Sequence, residues 1–167
     1  AHRLIGYENR LLSKEDFNDD RKDAGELGSG HTVTALYEII PAGVDSPFIR
    51  PVDPLRYQQS TRSAVDTRGD EFLTLKLRYK KPNGKNSRLI TRSLDTDAKR
   101  GSDTSVNFRW SASVAGFGML LRESQYKNDL DIVQVTEMAG HALGSDPHGY
   151  RSECLKMMQS TRYLAKR

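Results

Sequence analysis

The sequence has one cysteine, Cys154, and no apolar run long enough to cross a bilayer. A single cysteine excludes an internal disulfide and any metal site built from several cysteines. Because Cys154 falls within a helical apolar pattern, we expect it to be buried as a small hydrophobic residue. A membrane-spanning helix needs roughly 20 consecutive apolar residues, and no signal peptide is visible. The chain opens on Ala1 rather than Met, so we expect it to be processed or cut from a longer polypeptide.

Motifs for catalysis and for nucleotide or metal binding are missing as well. The sequence contains no Gly-x-Ser-x-Gly elbow, no His-Glu-x-x-His pair and no evident carboxylate dyad. The glycine-rich stretch 25–30 lacks the Gly-Lys-Ser/Thr ending of a phosphate-binding loop. The acidic segment from Asp16 begins like a calcium loop, but Arg21 and Leu27 occupy the positions where an EF-hand requires Gly and Glu. We therefore expect a protein that is not an enzyme and that carries no cofactor and no metal.

The composition is that of a globular domain that is somewhat more polar than average. The 167 residues are 36% hydrophobic and 29% charged, with a net charge of +4. A chain of this length can bury roughly two-thirds of its unfolded surface. Residues 41–106 carry 13 Lys and Arg against eight Asp and Glu. These basic residues are interleaved with acids, so a solvated surface is favoured over a phosphate-binding or lipid-binding patch.

Strand patterns dominate the first two-thirds of the chain. Residues 31–40 are rich in β-branched and aromatic side chains and give the strongest strand prediction. Residues 71–80 alternate between apolar and polar side chains, which predicts a half-buried strand. Asn83-Gly84 is a strong hairpin turn signal, and residues 87–94 read as the return strand. Four prolines between residues 41 and 54 predict a long irregular loop over 41–68.

Helical patterns take over from about residue 107. Trp110, Val114, Phe117 and Leu121 recur on one face of a first helix. Asp129 is predicted to cap a second helix, and Gly144 to end it. Asp146-Pro147 is typical of the start of a third helix. For that helix we expect a buried face of Tyr150, Cys154, Met157 and Met158, with Leu164 as a further candidate.

The order of these elements predicts an α+β fold, because strands come first and helices second. We expect an antiparallel, β-sandwich-like part over residues 1–106, which includes the long Pro-rich loop at 41–68. A bundle of about three helices over residues 107–167 is expected to pack on it as one unit.

Four strings in the sequence resemble a known bacterial family. They are Arg-Leu-Ile-Gly-Tyr-Glu-Asn-Arg at 3–10, Phe-Asn-Asp-Asp at 17–20 followed by Asp-Ala-Gly-Glu at 23–26, Gly-His-Thr-Val-Thr-Ala-Leu-Tyr-Glu-Ile at 30–39, and Phe-Gly-Met-Leu-Leu-Arg at 117–122. Together they resemble the C-terminal domain of YfbK-like bacterial proteins, which carry a von Willebrand factor A domain upstream. The resemblance extends over nearly the whole chain.

The resemblance implies a non-catalytic accessory or protein-interaction domain of a bacterial envelope protein. Its expected partners are the upstream A domain of the same polypeptide and an unidentified envelope protein. No nucleic acid is expected as a partner. Contact with a membrane is expected only through the parent protein. That protein is expected to be periplasmic or membrane-anchored. The resemblance also implies a metal-binding Asp-x-Ser-x-Ser motif in the A domain. That motif is absent here, and the nearest string, Asp103–Asn107, ends in Asn.

Two groups of residues are candidates for function. His31, Asp20 and Asp23 form a possible polar site at the start of the predicted strand 31–40. An alternative reading therefore makes the chain a small-ligand-binding or hydrolytic domain with a site near His31.

A possible interaction surface comprises basic and aromatic residues around the predicted hairpin: Tyr57, Arg78, Lys80, Lys81 and Lys85. Basic side chains beside aromatic rings also suit single-stranded nucleic acids. A second alternative is therefore a weak nucleic-acid binder that uses the basic middle of the chain.

Overall fold

The computed structural model describes seven stretches of the chain: residues 1–6, 13, 15–22, 25–41, 44–48, 71–95 and 103–164. Strands come first: β1 (His2–Leu4), β2 (Tyr37–Ile39), β3 (Glu71–Tyr79) and β4 (Arg88–Asp95), with a 3-10 helix at Asp16–Asn18. The helices α1 (Val106–Leu121), α2 (Ile132–Gly140) and α3 (Tyr150–Leu164) follow. This order confirms the predicted α+β fold with N-terminal strands and C-terminal helices. Most of the predicted loop at 41–68 lies outside the described residues.

The chain divides into two compact units. One unit holds the 3-10 helix together with β3 and β4, the other holds the three helices, and β1 and β2 contribute residues to both. The predicted division into 1–106 and 107–167 stays a prediction. No helix among the residues described is both long and apolar enough to span a membrane.

The first sheet is a short antiparallel pair of β1 and β2. The Ile5 amide donates to the Leu36 carbonyl at 2.8 Å, and the Ile40 amide donates to the Ala1 carbonyl at 2.8 Å. The predicted strand 31–40 is therefore mostly wrong in extent, because residues 31–36 form no strand. Gly6, at φ +78°, turns the chain away from the extended conformation where the ladder would continue. Strand propensity alone does not supply the partner that a strand requires.

The second sheet is the antiparallel hairpin of β3 and β4, as the alternating pattern predicts, but β3 is largely exposed on both faces rather than half-buried. Leu77 lies opposite Ile90, and Tyr79 lies opposite Arg88. The connection is longer than the two-residue turn that Asn83-Gly84 suggests, because β3 ends at residue 79 and β4 begins at residue 88. The Gly84 amide closes a turn onto the Lys81 carbonyl at 2.8 Å. Asn83 takes the left-handed conformation, φ 59°, that this turn demands.

The core of the described residues lies within the helical unit. Val135, Ala139 and Met158 are completely buried. The partly buried hydrophobic residues packed against them are Trp110, Phe117, Leu120, Leu130, Cys154 and Leu155. Cys154 is half-buried rather than fully buried, and burial raises the pKa of its thiol.

The buried face of α1 differs from the predicted one. Val114 and Leu121 are exposed, whereas Ser113 and Gly116 are buried. A Cβ atom at position 116 would stand 3.1 Å from Leu130 Cδ2 and 3.3 Å from a Val135 methyl carbon. The missing side chain of Gly116 therefore permits the close packing of α1 and α2, which a pattern of large apolar residues does not reveal. In α3, likewise, Tyr150 and Met157 are exposed.

Helix termini explain two further differences. Asp131, not Asp129, caps α2 in a capping box with Gln134. Asp146 accepts hydrogen bonds from the Ser152 amide at 2.8 Å and from its hydroxyl at 2.9 Å. Asp146 thus stabilises the first turn of α3 as predicted, although the helix itself begins only at Tyr150. The backbone hydrogen bond from Ser152 is the main reason that the pKa of the Asp146 carboxyl is lowered.

Candidate interaction site

Arg78 stands at the centre of a polar cluster on one face of the hairpin. Its Nη1 donates to Asn18 Oδ1 at 2.8 Å, its Nη2 to Asp20 Oδ1 at 3.1 Å, and its Nε to Ser87 Oγ at 2.9 Å. The guanidinium carbon also lies 5.9 Å from the centre of the Phe17 ring, within the range of a cation–π interaction. The planar fork of arginine is suited to several acceptors at once. One side chain thus joins the acidic turn at 16–20 to both strands.

Asp20 receives hydrogen bonds from three residues of this arrangement, Arg78, Lys80 and Ser87. The Ser87 amide donates to Asp20 Oδ2 at 3.2 Å, and the Lys80 ammonium group donates to the Asp20 carbonyl. The hydrogen bonds from Ser87 and then the charges of Arg78 and Lys80 hold the pKa of the Asp20 carboxyl below its usual range. We call these five residues, Asn18, Asp20, Arg78, Lys80 and Ser87, the Arg78 cluster.

The acidic turn is also neutralised internally. Arg21 makes a 3.0 Å ion pair with Asp19, and its hydrogen bonds are the main reason that the pKa of Asp19 falls to about 2. Lys22 pairs with Asp16 at 3.4 Å. Among the residues described, no group of three or more His, Cys, Asp or Glu side chains could hold a metal ion. The acidic turn is therefore engaged with its own basic neighbours.

The chemistry of the Arg78 cluster suits attachment better than catalysis. A general acid or base works best with a pKa near the operating pH. Arginine stays protonated in proteins, and the pKa of Asp20 is lowered rather than raised towards neutrality. The cluster therefore fixes the acidic turn to the polar face of the hairpin.

The opposite face of the hairpin is apolar and exposed. Alternation along the strands places the side chains of Leu73, Leu75, Leu77, Tyr79, Ile90 and Leu94 on this side. We call these six residues the apolar face. Leu77 is 56% exposed and Leu94 is 49% exposed. In the described part of the chain the completely buried hydrophobic residues all lie between positions 135 and 158, so the hairpin contributes none of them.

The structure places the predicted site residues in different environments. It joins Asp20, which was predicted as part of one site, with Arg78 and Lys80, which were predicted as part of the other. Lys81 and Lys85 lie in the exposed connection between β3 and β4.

The other predicted residues stand apart from this cluster. His31 is exposed, and its amide donates to the Gly28 carbonyl at 3.2 Å. None of the described contacts of Asp20 involves His31. Asp23 and Tyr57 lie outside the described residues.

Sequence reasoning missed Asn18 and Ser87, which complete the Arg78 cluster. Asn18 ends the 3-10 helix and Ser87 directly precedes β4, and short polar residues are common at such places where no site exists. The only available signal was the charge of Arg78 at a position where alternation points it away from the apolar face. Arg78 is the second-to-last residue of β3 and lies across from the neutral Leu89, so its charge needs a partner from elsewhere in the chain.

We expect Asp20→Asn to lower the thermal unfolding midpoint of the chain at neutral pH. The amide cannot accept from both Arg78 and the Ser87 backbone, and it carries no charge. Because the pKa of Asp20 is lowered in the folded state, its stabilising effect is present above the unfolded pKa of about 3.9. That effect disappears as the pH falls through the folded pKa. The difference between wild type and variant should therefore shrink in acid.

Midpoints measured from neutral pH down to about pH 2 would check this, since that range passes the unfolded pKa. Glu26→Gln is the matched control, because Glu26 is exposed and outside the Arg78 cluster. A difference that stays constant across the range would contradict the role given to the Asp20 charge.

Comparisons with known proteins place the chain in a family. Residues 1–164 match the family model described as "Uncharacterized protein YfbK, C-terminal". The chain is 36% identical over 158 residues to "Uncharacterized protein YfbK" of Escherichia coli (strain K12). That match covers 95% of this chain and 26% of the relative, so the chain spans about a quarter of the relative's length. No solved structure matches the chain. The chain therefore belongs to the family of YfbK C-terminal domains.

Proposed function

We propose that the chain is a non-catalytic interaction domain of a larger bacterial envelope protein. In this proposal it follows a von Willebrand factor A domain in the same polypeptide and docks on that domain. The observation that carries the proposal is the apolar face of the hairpin, which is exposed along both strands. The resemblance of the sequence to proteins with an upstream A domain supports the identity of the partner.

The exposure of the apolar face is unusual for a domain that works alone. A lone two-stranded hairpin is marginally stable in water, and stability requires a third strand or packing of its hydrophobic face. Large exposed apolar patches mark interaction sites. Fully burying one Leu side chain stabilises a complex by about 1.5–3 kcal/mol. The apolar face contains four Leu residues, so a partner that covers it gains several such contributions.

The partner is proposed to lie in the same polypeptide because most of the matched relative lies outside this chain. A partner tethered by a linker acts at a high effective concentration, so a modest contact suffices for stable docking. The Arg78 cluster supports the same function from the other side of the hairpin. It holds the acidic turn beside Arg78 on the polar face, which is the side away from the apolar face.

Calorimetric titration of this chain with the separately produced upstream A domain tests the proposal. We expect saturable binding that changes when magnesium is removed, because the resemblance implies a divalent metal in the A domain. If no heat of binding were measured either with or without magnesium, docking on that domain would be contradicted. The search would then move to an outside envelope protein.

A further inference from the structure

Among the described residues, strand β4 has a pairing partner on one edge only. Its sheet consists of two strands only, and β3 occupies one side of β4. All eight residues of β4, from Arg88 to Asp95, are exposed. No strand in the described part of the chain pairs with the other edge. Its outward amides and carbonyls thus form a template for a further strand.

Most of the devices that protect an edge are lacking on β4. Proteins blunt edges with very short strands, charged side chains, prolines, bulges or a covering element, and of these β4 has charged side chains, among them Arg88 and Arg92. β4 is eight residues long and contains no proline. The one irregularity of the hairpin falls between Glu71 and Leu73, at the far end of β3. An edge of this kind is either a site of aggregation or a site of strand addition.

Two arginines define the chemistry that this edge recognises. Arg88 lies opposite Tyr79, and Arg92 lies opposite Leu75, so both share the side of the apolar face. Neither makes an ion pair with a described residue. An incoming strand that places acidic side chains beside Arg88 and Arg92 gains cross-strand pairs of opposite charge. Apolar side chains of that strand opposite Ile90 and Leu94 extend the apolar face.

We propose that β4 accepts an additional β-strand from the part of the parent polypeptide outside this chain. On the side of the apolar face, the strand carries acidic side chains opposite Arg88 and Arg92 and apolar side chains opposite Ile90 and Leu94. This inference rests on the proposed function, because the same polypeptide supplies the partner. It specifies the contact as backbone pairing along β4, in addition to side-chain packing on the apolar face.

A second copy of this chain fits the edge less well. In the antiparallel register that overlaps β4 completely with its copy, Ile90 lies opposite Ser93. In this register the apolar face of one copy continues into the polar face of the other, so the two apolar faces do not join. Pairing with an amphipathic strand from elsewhere in the parent places both apolar sets on one side.

Residue-resolved hydrogen exchange on the full-length parent protein tests the inference. A two-stranded antiparallel hairpin bonds alternate amides of each strand, whereas a strand paired on both edges bonds nearly all of them. We expect consecutive amides from Leu89 to Leu94 to be protected at least tenfold in the full-length protein. In the isolated chain only alternate amides of this stretch should be protected. The α2 amides should be protected in both, which reports that the isolated chain is folded.

An alternating pattern in the full-length protein would overturn strand addition. If calorimetry still showed binding, the proposed docking on the A domain would stand and only the mode of contact would be wrong. Consecutive protection in the isolated chain would also overturn the inference. Protection that grew with protein concentration would point to a second copy, and protection that did not would point to a strand from this chain itself.

A charge variant adds a test within the full-length protein. Arg88→Glu combined with Arg92→Glu should restore the alternating pattern, because acidic side chains on the incoming strand would then meet like charges. Lys76→Glu is the matched control, since Lys76 lies on the other face of the same hairpin. Equal effects of the two changes would contradict the acidic character given to the incoming strand.

Discussion

Met158→Ala is expected to lower the free energy of unfolding of the helical unit by about 2–5 kcal/mol. Met158 is completely buried and packs with Val135 and Ala139 at the contact between α2 and α3. Removing three heavy atoms from this position leaves a cavity that the helices fill only in part. The loss combines the lost transfer free energy of the side chain with the cost of that cavity.

Met157→Ala provides a matched control at the next position of the same helix. Met157 is 57% exposed, so we expect a change within about 0.5 kcal/mol. Urea unfolding can be followed by the fluorescence of Trp110, which is the only tryptophan in the chain and packs against the same core. Similar losses for both variants would show that α3 buries a different face.

The helical unit follows closely from the sequence because its determinants are local. Helical spacing marks the buried residues of α2. A different aspartate stabilises the start of each helix: Asp131 caps α2, and Asp146 accepts from the Ser152 amide in the first turn of α3. The buried face of α1 was predicted wrongly because of Gly116. This residue has no side chain, which lets Leu130 and Val135 pack closely against α1. A pattern that counts large apolar residues cannot register a residue that packs because it is small.

The Arg78 cluster was less accessible to sequence reasoning because its parts are distant in the chain. Asp20 and Arg78 are separated by 58 positions, and Asp20 and Ser87 by 67. No periodicity connects residues over such a separation. Alternation in β3 correctly put Arg78 on the side away from Leu77, but it did not identify the acidic turn as its partner. Charge pairs between distant segments become visible only in the three-dimensional structure.

Residues 31–36 show that secondary structure, too, depends on distant segments that the local sequence does not reveal. Their β-branched side chains favour a strand, yet Val33 is 77% exposed and the segment pairs with no described strand. The alternation in β3 was a reliable signal because β4 follows it closely and supplies a partner. Within the described residues, both this segment and the outer edge of β4 lack a paired strand, as expected for a β-rich part that other chain segments complete.

Leu77→Ala is expected to weaken binding of the chain to the upstream A domain by about 30-fold. Leu77 lies near the middle of the apolar face, and truncating a central contact residue costs about 2 kcal/mol in typical interfaces, which corresponds to that factor. The chain offers a close control in Leu89→Ala. Leu89 is 54% exposed against 56% for Leu77, but it lies opposite Arg78 on the other face of the hairpin.

The two variants separate a contact made by one face from a general loss of hairpin stability. Because both leucines are similarly exposed, both truncations should change the unfolding midpoint of the isolated chain by the same small amount. Calorimetric titration should then show a change of no more than about twofold for Leu89→Ala, as expected for residues outside the contact. Equal losses of affinity would mean that the hairpin as a whole, rather than the apolar face, governs binding. A larger loss for Leu89→Ala would place the contact on the side of the Arg78 cluster.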